Sequence, residues 1–482
     1  MYRNFVDGAW LEGADAARNI NPSDTRDVIG EYARASSNQV EHAIAAAHAA
    51  LSRAAAFPIQ QRADALELVA AEILSRRQEL ADLLAREEGK PLAEALGEVV
   101  RAGHIFRFFA GEVMRQAGEL IPSVRPGMAV EVTREPVGVV AIVTPWNFPL
   151  AIPAWKIAPA LAYGNCAVFK PADLTPASAW VLTEIISRAG FPAGVFNLVM
   201  GRGREVGDTL LNDVRVAAVS FTGSESVGRR VAQACVNRPC GAMAKFQLEM
   251  GGKNPLVVLD DADLDIAVAC AVNGAFYSTG QRCTASSRLI VCDSIHDRFV
   301  DALATRMQSL RVGDARHADT QIGPVVDDSQ LEQDLHYISL AQAEGAKLVC
   351  GGEHRPVVDD QPGYFLTPAL FVETHNAMQV NREEVFGPVA TIIRATDADE
   401  ALAFANDTRF GLSAGVVTTS LREATRFKRG LQAGMVMINA PTAGVDPHVP
   451  FGGRKSSSYG AREQGRYASE FYTTVKTSYV NP

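Results

Sequence analysis

Nothing in this 482-residue chain approaches the roughly 20 consecutive apolar residues that cross a bilayer, so no membrane span is expected. No block of basic residues stands out either: 46 Lys and Arg face 55 Asp and Glu, a formal net charge of −9. That balance argues against a general nucleic-acid binder, which needs clustered cations to neutralise phosphates, and makes a small-molecule partner the expectation. The run Met1 to Gly8 carries charge but no continuous apolar core, so it does not read as a secretory signal, and the expected compartment is the cytoplasm. No Cys-x-x-Cys pair occurs. The seven cysteines, at 166, 235, 240, 270, 283, 292 and 350, are odd in number and scattered, the pattern of a reduced compartment with neither a disulfide framework nor a zinc site. Cys235 and Cys240 come closest together, but no His or second Cys pair completes a metal set. His42, His48 and His104 have no accompanying carboxylate or nucleophile motif and read as surface or core residues. Self-similarity at a period of about 20 to 50 residues is also missing, which excludes a solenoid.

What is present suits a globular protein of about three domains. Short strands and turns are expected before Asn21-Pro22. From Ser37 the pattern turns to alanine-rich helix, with Ser37 or Asn38 as N-cap. A second helix is predicted after Pro58, running through Leu66, Val69, Ile73, Leu80 and Leu84 to Gly89, and a third from about Leu92 to Ala117. Between Gly118 and Pro136 the helical period disappears and a projecting hairpin is expected. Continuous apolar runs follow at 137–143, 166–169, 195–199 and 217–221, alternating with helical segments that begin near Trp155, Ser178 and Gly203. Such runs are strands buried on both faces, and the alternation predicts a doubly wound α/β domain suited to a dinucleotide. The cycle restarts after Gly252, with a strand at 255–259, a helix from Leu264 to Phe276 and a strand at 289–291. At the end of the chain, residues 471–480 read as a β-branched and aromatic strand that needs an edge, which another subunit could supply.

Between the second helix–strand pair lies Ser278-Thr279-Gly280-Gln281-Arg282-Cys283-Thr284. A nucleophilic sulfur needs close approach by its target, and a glycine three residues ahead with small polar neighbours leaves that approach open. Two further features are legible from the residues. Phe221-Thr222-Gly223-Ser224 follows a buried strand and, through Gly228, opens a helix whose backbone N–H groups can meet a pyrophosphate. Glu249, set between Leu248 and Met250 ahead of two glycines, is awkward for a core strand; burial would raise its pKa into the range a general base uses.

Six stretches in order, 143–149 (VTPWNFP), 221–224 (FTGS), 248–255 (LEMGGKNP), the cysteine loop, 383–388 (EEVFGP) and 450–455 (PFGGRK), resemble the aldehyde dehydrogenase superfamily, and the resemblance covers essentially the whole chain. It implies two Rossmann-like domains plus a small β oligomerisation element: residues 1–118 and 137–249 bind the dinucleotide, 250–465 carry the cysteine, and 119–136 with 466–482 make a homodimer or homotetramer. It implies oxidation of an aldehyde to a carboxylate with NAD, or NADP, and water, through a thiohemiacetal and a thioester on Cys283. Asn147 and the Cys283 main-chain N–H would hold the oxyanion, and Glu249 would activate water; relatives that pass the acyl group to coenzyme A lack that glutamate. Thr144, Pro145, Trp146, Lys170, Asp173, Phe221, Thr222, Gly223, Ser224, Gly228, Gly251, Glu384 and Phe386 match cofactor positions, with Asp173 expected on the adenosine ribose, where its charge repels a 2′-phosphate. Phe148, Trp155 and Phe451 match the aldehyde tunnel. Trp155 and Tyr277 stand where succinate semialdehyde enzymes carry arginines. The 440–449 loop and the 456–465 segment look like the subgroup that oxidises α-ketoglutarate semialdehyde, with Arg282 and His448 as candidates for its anionic tail; succinate semialdehyde and neutral aliphatic or aromatic aldehydes are the alternatives. A binding protein that keeps the fold without catalysis, and a thiol redox enzyme, for which no resolving cysteine lies near Cys283, are the other classes.

Overall fold

The computed structural model describes residues 1–238 and 241–481, so Cys240 lies outside the described residues. In the first sheet Val139–Val143, Cys166–Lys170, Phe196–Leu198, Val216–Thr222 and Lys245–Glu249 run parallel. Numbered among themselves they stand in the order 3-2-1-4-5, the doubly wound arrangement whose ligand crevice opens at the carboxyl ends where the order reverses. Asn4–Val6 and Ala9–Leu11 extend one edge antiparallel, and Ser458–Tyr459 returns to close the other against Lys245–Glu249.

The second sheet aligns Pro255–Val258, Arg288–Cys292, Ala369–Thr374, Val389–Ala395, Ser413–Val417 and Met435–Ile438 in parallel, with Lys347–Cys350 antiparallel at its edge. Successive residues of a strand point to opposite faces. Leu256, Val258, Leu289 and Val291 therefore feed a core with the Leu264–Phe276 and Asp293–Gln308 helices, while Val257, Leu259, Ile290 and Ile393 feed another with Ala401 and Phe427. Both faces are covered, which is why these stretches lack the alternation of a half-exposed strand. No helix among the described residues is long and apolar enough to cross a membrane.

Several local features differ from the sequence reading. The first helix is capped one residue earlier, by Ser36, whose hydroxyl accepts from Gln39 N while the Gln39 side chain accepts from Ser36 N. The second helix breaks in two, Ile59–Ser75 and Arg77–Glu88, at Arg76, whose φ of −95° and ψ of 14° leave the helical region while its guanidinium pairs with Glu72, Glu79 and Glu184 across the joint. Residues Ser469–Tyr472 form a helical turn, and the terminal strand begins at Thr473. That strand needs no second subunit for an edge: Thr473–Val480 pairs antiparallel with Ala129–Pro136 of its own chain, which in turn pairs with Glu119–Pro122. The resulting three-stranded sheet keeps two outer edges, with Leu120, Val124 and Tyr479 exposed.

A buried ion pair joins this framework to the loop after Val143. Lys90 Nζ donates to Glu98 Oε2 at 2.7 Å and to the Asn147 carbonyl at 2.6 Å. Glu98 Oε1 accepts from the backbone N–H groups of Leu150 and Ala151 at 2.9 and 3.1 Å, where a carboxylate also meets the positive end of the Ala151–Ala162 helix. Glu88, also buried, lies 3.8 Å from Lys90 Nζ, too far for a hydrogen bond, so removing Glu98 leaves Lys90 without its hydrogen-bonded carboxylate. Glu98→Ala should therefore cost about 3–5 kcal/mol in urea unfolding, and Lys90→Met/Glu98→Leu with Glu88→Gln, which removes all three buried charges, should recover part of it; a loss near zero for the single variant would contradict the role given to the pair.

Candidate active site

Cys283 follows a turn that only an unusual backbone provides. Ser278 and Thr279 adopt left-handed φ of 51° and 55°, and Gly280 follows at 67°. A Cβ on Gly280 would lie 2.2 Å from the Gly387 carbonyl oxygen, so no other residue fits. Left-handed non-glycine residues are costly and persist where the surroundings hold them. Here Glu94 does the holding: its carboxylate accepts from Ser278 N at 3.0 Å, from the Ser278 hydroxyl and from Arg282 Nη2 at 2.5 Å.

Two cavities open onto the sulfur. The larger, about 650 Å³, runs along the carboxyl ends of the first sheet and is lined by Thr144, Pro145, Trp146, Asn147, Lys170, Phe221, Thr222, Gly223, Ser224, Gly251, Glu384 and Phe386 as well as Cys283. The smaller, about 330 Å³, is lined by Phe148, Trp155, Tyr277, Arg282 and Phe451, and again by Cys283. Trp155 stacks on Phe451 with ring centroids 5.2 Å apart, forming an apolar wall.

The larger cavity fits a dinucleotide. Thr144 Oγ1 and Thr222 Oγ1 are buried in its wall without a hydrogen-bond partner, and a Cβ on Gly203 or Gly207 would meet nothing within 4 Å. Ser224 caps the Glu225–Val236 helix and lines this space, which puts a helix N-terminus, suited to a pyrophosphate, at the cavity wall. A slot between that helix and Gly203–Asn212, walled by Leu211, Val227 and Val231, suits an adenine. The sequence reading missed this slot because its apolar residues look like ordinary helix core. Trp146 meets Phe386 edge-on at 5.4 Å, and Phe386 itself holds a left-handed φ of 65°.

Three expected residues stand elsewhere, and a fourth is in place with its charge already used. Asp173 does not line the cavity: its carboxylate is paired with Arg34, Nη2 to Oδ2 at 2.7 Å, with Arg202 at 3.7 Å, so its charge is neutralised. Gly228 is a packing position, where a Cβ would strike Met250 Sδ at 2.5 Å. His448 is exposed and does not line the tunnel. Arg282 does line it, but its charge is spent on Glu94 and its Nη1 donates to the Asn273 carbonyl at 3.3 Å, so it supports the loop.

The electrostatics describe a resting nucleophile. Burial, then the charges of Glu384 and Glu249, push the Cys283 thiol up to about 12. Burial also pushes Glu384 up to about 7, while Gly252 N donates to its Oε1 at 2.9 Å. Asn147 Nδ2 donates one proton to the Gln281 carbonyl at 2.9 Å and keeps its second for a ligand. Glu249 lines neither cavity. Its Oε2 accepts from the Ser458 hydroxyl at 2.5 Å, and its Oε1 occupies the space left by Gly452, where a Cβ would lie 2.8 Å away. Burial and the Glu463 charge hold its carboxyl well above the ordinary carboxylate range. Glu463 in turn is bound by the buried Lys156, whose Nζ also donates to Ser220 Oγ at 2.9 Å. Among the described residues no group of His, Cys, Asp and Glu is arranged to hold a metal ion.

Comparison with known proteins is consistent with this geometry. The aldehyde dehydrogenase family matches residues 10–478. The α-ketoglutaric semialdehyde dehydrogenase of Bacillus subtilis is 43% identical over 100% of this chain and 98% of its own length. The 2,5-dioxopentanoate dehydrogenase of Saccharolobus solfataricus is 41% identical over 99% of both. The crystal structure of betaine aldehyde dehydrogenase from Staphylococcus aureus in complex with NAD+ superposes with a TM-score of 0.96 at 35% identity, covering 100% of this chain and 95% of that one.

A thiol held up by burial and by a neighbouring carboxylate has a measurable signature. Alkylation of Cys283 by iodoacetamide should be slow near neutrality and climb about tenfold per pH unit as the thiolate fraction grows. Glu384→Gln removes a negative neighbour, so the whole profile should move to lower pH. An unmoved profile in that variant would show that Glu384 does not set the thiol.

Proposed function

This chain belongs to the aldehyde dehydrogenase family, and on that premise we propose that it oxidises α-ketoglutarate semialdehyde (2,5-dioxopentanoate) to the dicarboxylate with NAD(P)+ and water. The observation that carries the reading is the place of Cys283 in the wall common to two cavities, one suited to a dinucleotide and one to a short aldehyde. The aldehyde carbon meets Sγ from the tunnel side, and the thiolate adds to it. The new oxyanion takes the free Asn147 amide proton and the Cys283 main-chain N–H; one such donor is typically worth ~10²–10³ in rate. Bound NAD(P)+ supplies the two-electron acceptor as the thiohemiacetal becomes a thioester. Glu249 then removes a proton from water, which attacks the thioester and returns the thiol. For that step its side chain swings from Ser458 toward the sulfur, and burial, by raising its pKa, makes the carboxylate a stronger base.

Water rather than coenzyme A is the acyl acceptor in this reading, because Glu249 is present. Neutralisation of Asp173 by Arg34 removes the repulsion that would have favoured NAD over NADP, so both remain cofactors of the proposal. The cofactor unit comprises 1–118 and 137–249 and the catalytic unit 250–465, with Ser458–Tyr459 reaching back into the first sheet. Residues 119–136 and 466–482 make the oligomer contact, a homodimer or homotetramer, an assignment supported by the exposed apolar edges of their shared sheet. Six described cysteines are all unpaired, in keeping with a reducing cytoplasm.

Cys283→Ser should abolish NAD(P)H formation, and a variant with full activity would end the assignment. Glu249→Gln should form NAD(P)H in a single burst and then turn over ~10²–10⁴-fold more slowly, since only deacylation needs the base. In a substrate panel, kcat/KM for α-ketoglutarate semialdehyde should exceed that for butyraldehyde at least about tenfold, roughly 1.4 kcal/mol of discrimination. Equal values would leave the chemistry standing and remove the substrate.

A further inference from the structure

The charged groups of the tunnel do not balance among themselves. Glu94 is taken by Arg282 and Ser278, and Glu98 by Lys90 and the N–H groups of Leu150 and Ala151. Arg101, on the Leu92–Val113 helix that also carries Glu94 and Glu98, lines the same cavity as Cys283 and has no carboxylate paired with it among the described residues. Its one hydrogen bond runs from Nη2 to a neutral acceptor, Gln464 Oε1, at 3.2 Å. Its Nε is buried without a partner, and so is Nε2 of the same Gln464. The guanidinium lies 5.4 Å from the Trp155 ring centroid, which steadies it against the tunnel wall. Gln464 keeps a left-handed φ of 63°, so the residue that orients Arg101 is itself held in an unfavourable backbone state.

Arg101 is thus a half-buried cation in the tunnel wall that feels the fields of Glu98 and Asp446 but is bound by no carboxylate among the described residues, so its guanidinium keeps donors for an anionic group. Arginine presents a fixed fork of N–H groups that matches a carboxylate in two parallel hydrogen bonds. An aldehyde bearing a carboxylate at its far end supplies the charge that Arg101 lacks as a partner. A neutral aldehyde does not, and a quaternary ammonium aldehyde adds a like charge.

We propose that Arg101 is the specificity-determining residue of the tunnel, receiving the distal carboxylate of a short semialdehyde while the aldehyde carbon lies against Cys283. This rests on the aldehyde-oxidising reading above and names the group that gives it an anionic substrate. Arg282, the cation visible in the sequence beside the cysteine, is excluded from the role by its bond to Glu94.

The test uses the full enzyme with saturating cofactor. Arg101→Met and Arg101→Lys are compared with wild type on α-ketoglutarate semialdehyde, succinate semialdehyde and butyraldehyde. Arg101→Met should lose at least about thirtyfold in kcat/KM for both semialdehydes, chiefly through KM, and stay within about threefold on butyraldehyde; Arg101→Lys should recover part of the loss. In a second readout that needs no turnover, glutarate should protect wild-type Cys283 from iodoacetamide and should fail to protect Arg101→Met, with Arg101→Lys intermediate. Parallel losses on charged and neutral aldehydes, or glutarate protection undiminished in the variants, would overturn the proposal. If Arg101→Met does not fold, glutarate protection in Arg101→Lys decides it: protection weakened relative to wild type supports the role, and unchanged protection overturns it. A wild-type enzyme that shows no preference for the semialdehydes would instead remove the substrate reading on which the proposal rests, whereas a wild-type preference that survives in Arg101→Met removes Arg101 alone.

Discussion

The buried pair of Lys90 and Glu98 is the constraint on which the site depends. Neither charge is placed where it would be chosen for stability alone, since two ions out of water cost more than apolar residues of the same size. What the pair provides is position. Lys90 holds the carbonyl of Asn147 and Glu98 holds the first N–H groups of the following helix, so the loop that presents the Asn147 amide is fixed from both ends. A turn away on the same helix, Glu94 fixes the opposite wall by gathering Ser278 and Arg282 of the cysteine loop. One helix thereby sets the spacing between the two sides of the reaction centre.

The same economy governs the reactive groups. Burial raises the pKa of Cys283, Glu249 and Glu384 alike, and the charges of Glu384 and Glu249 add to the rise at the sulfur. Burial disfavours the charged form of each of the three, and Glu249 is turned toward the Ser458 hydroxyl. Reactivity then depends on which neighbour moves, a change of a few rotatable bonds rather than of the fold.

Much of this was legible in the chain. The apolar runs at 137–143, 166–169 and 217–221 became parallel strands because burial on both faces leaves no room for alternation, and the Leu264–Phe276 helix was read to its ends. The glycine ahead of Cys283 was recognisable as a requirement of close approach, and the contact with Gly387 is the reason for it. What could not be read was pairing across long separations. Arg282 looked free because Glu94 lies 188 residues away, and Asp173 looked available because Arg34 lies 139 residues away. Arg101 is hidden for the opposite reason: inside an amphipathic helical pattern a lone arginine reads as a solvated face, and only the tertiary structure reveals that no carboxylate among the described residues pairs with it. Gly228 was legible as a glycine with a purpose, but its purpose is room for Met250 rather than for a phosphate.

A sulfur shared by two cavities has consequences for traffic. Because the dinucleotide cavity and the aldehyde tunnel reach Cys283 from different sides, neither ligand blocks the other's doorway. A spent carrier can withdraw from its own side while the acyl group stays tethered to the protein, and water can arrive through the space it vacates. The acid then departs by the opposite route. The molecule works as a chamber with separate entrances, and its slowest step in any cycle can lie at either door without the chemistry between them having changed.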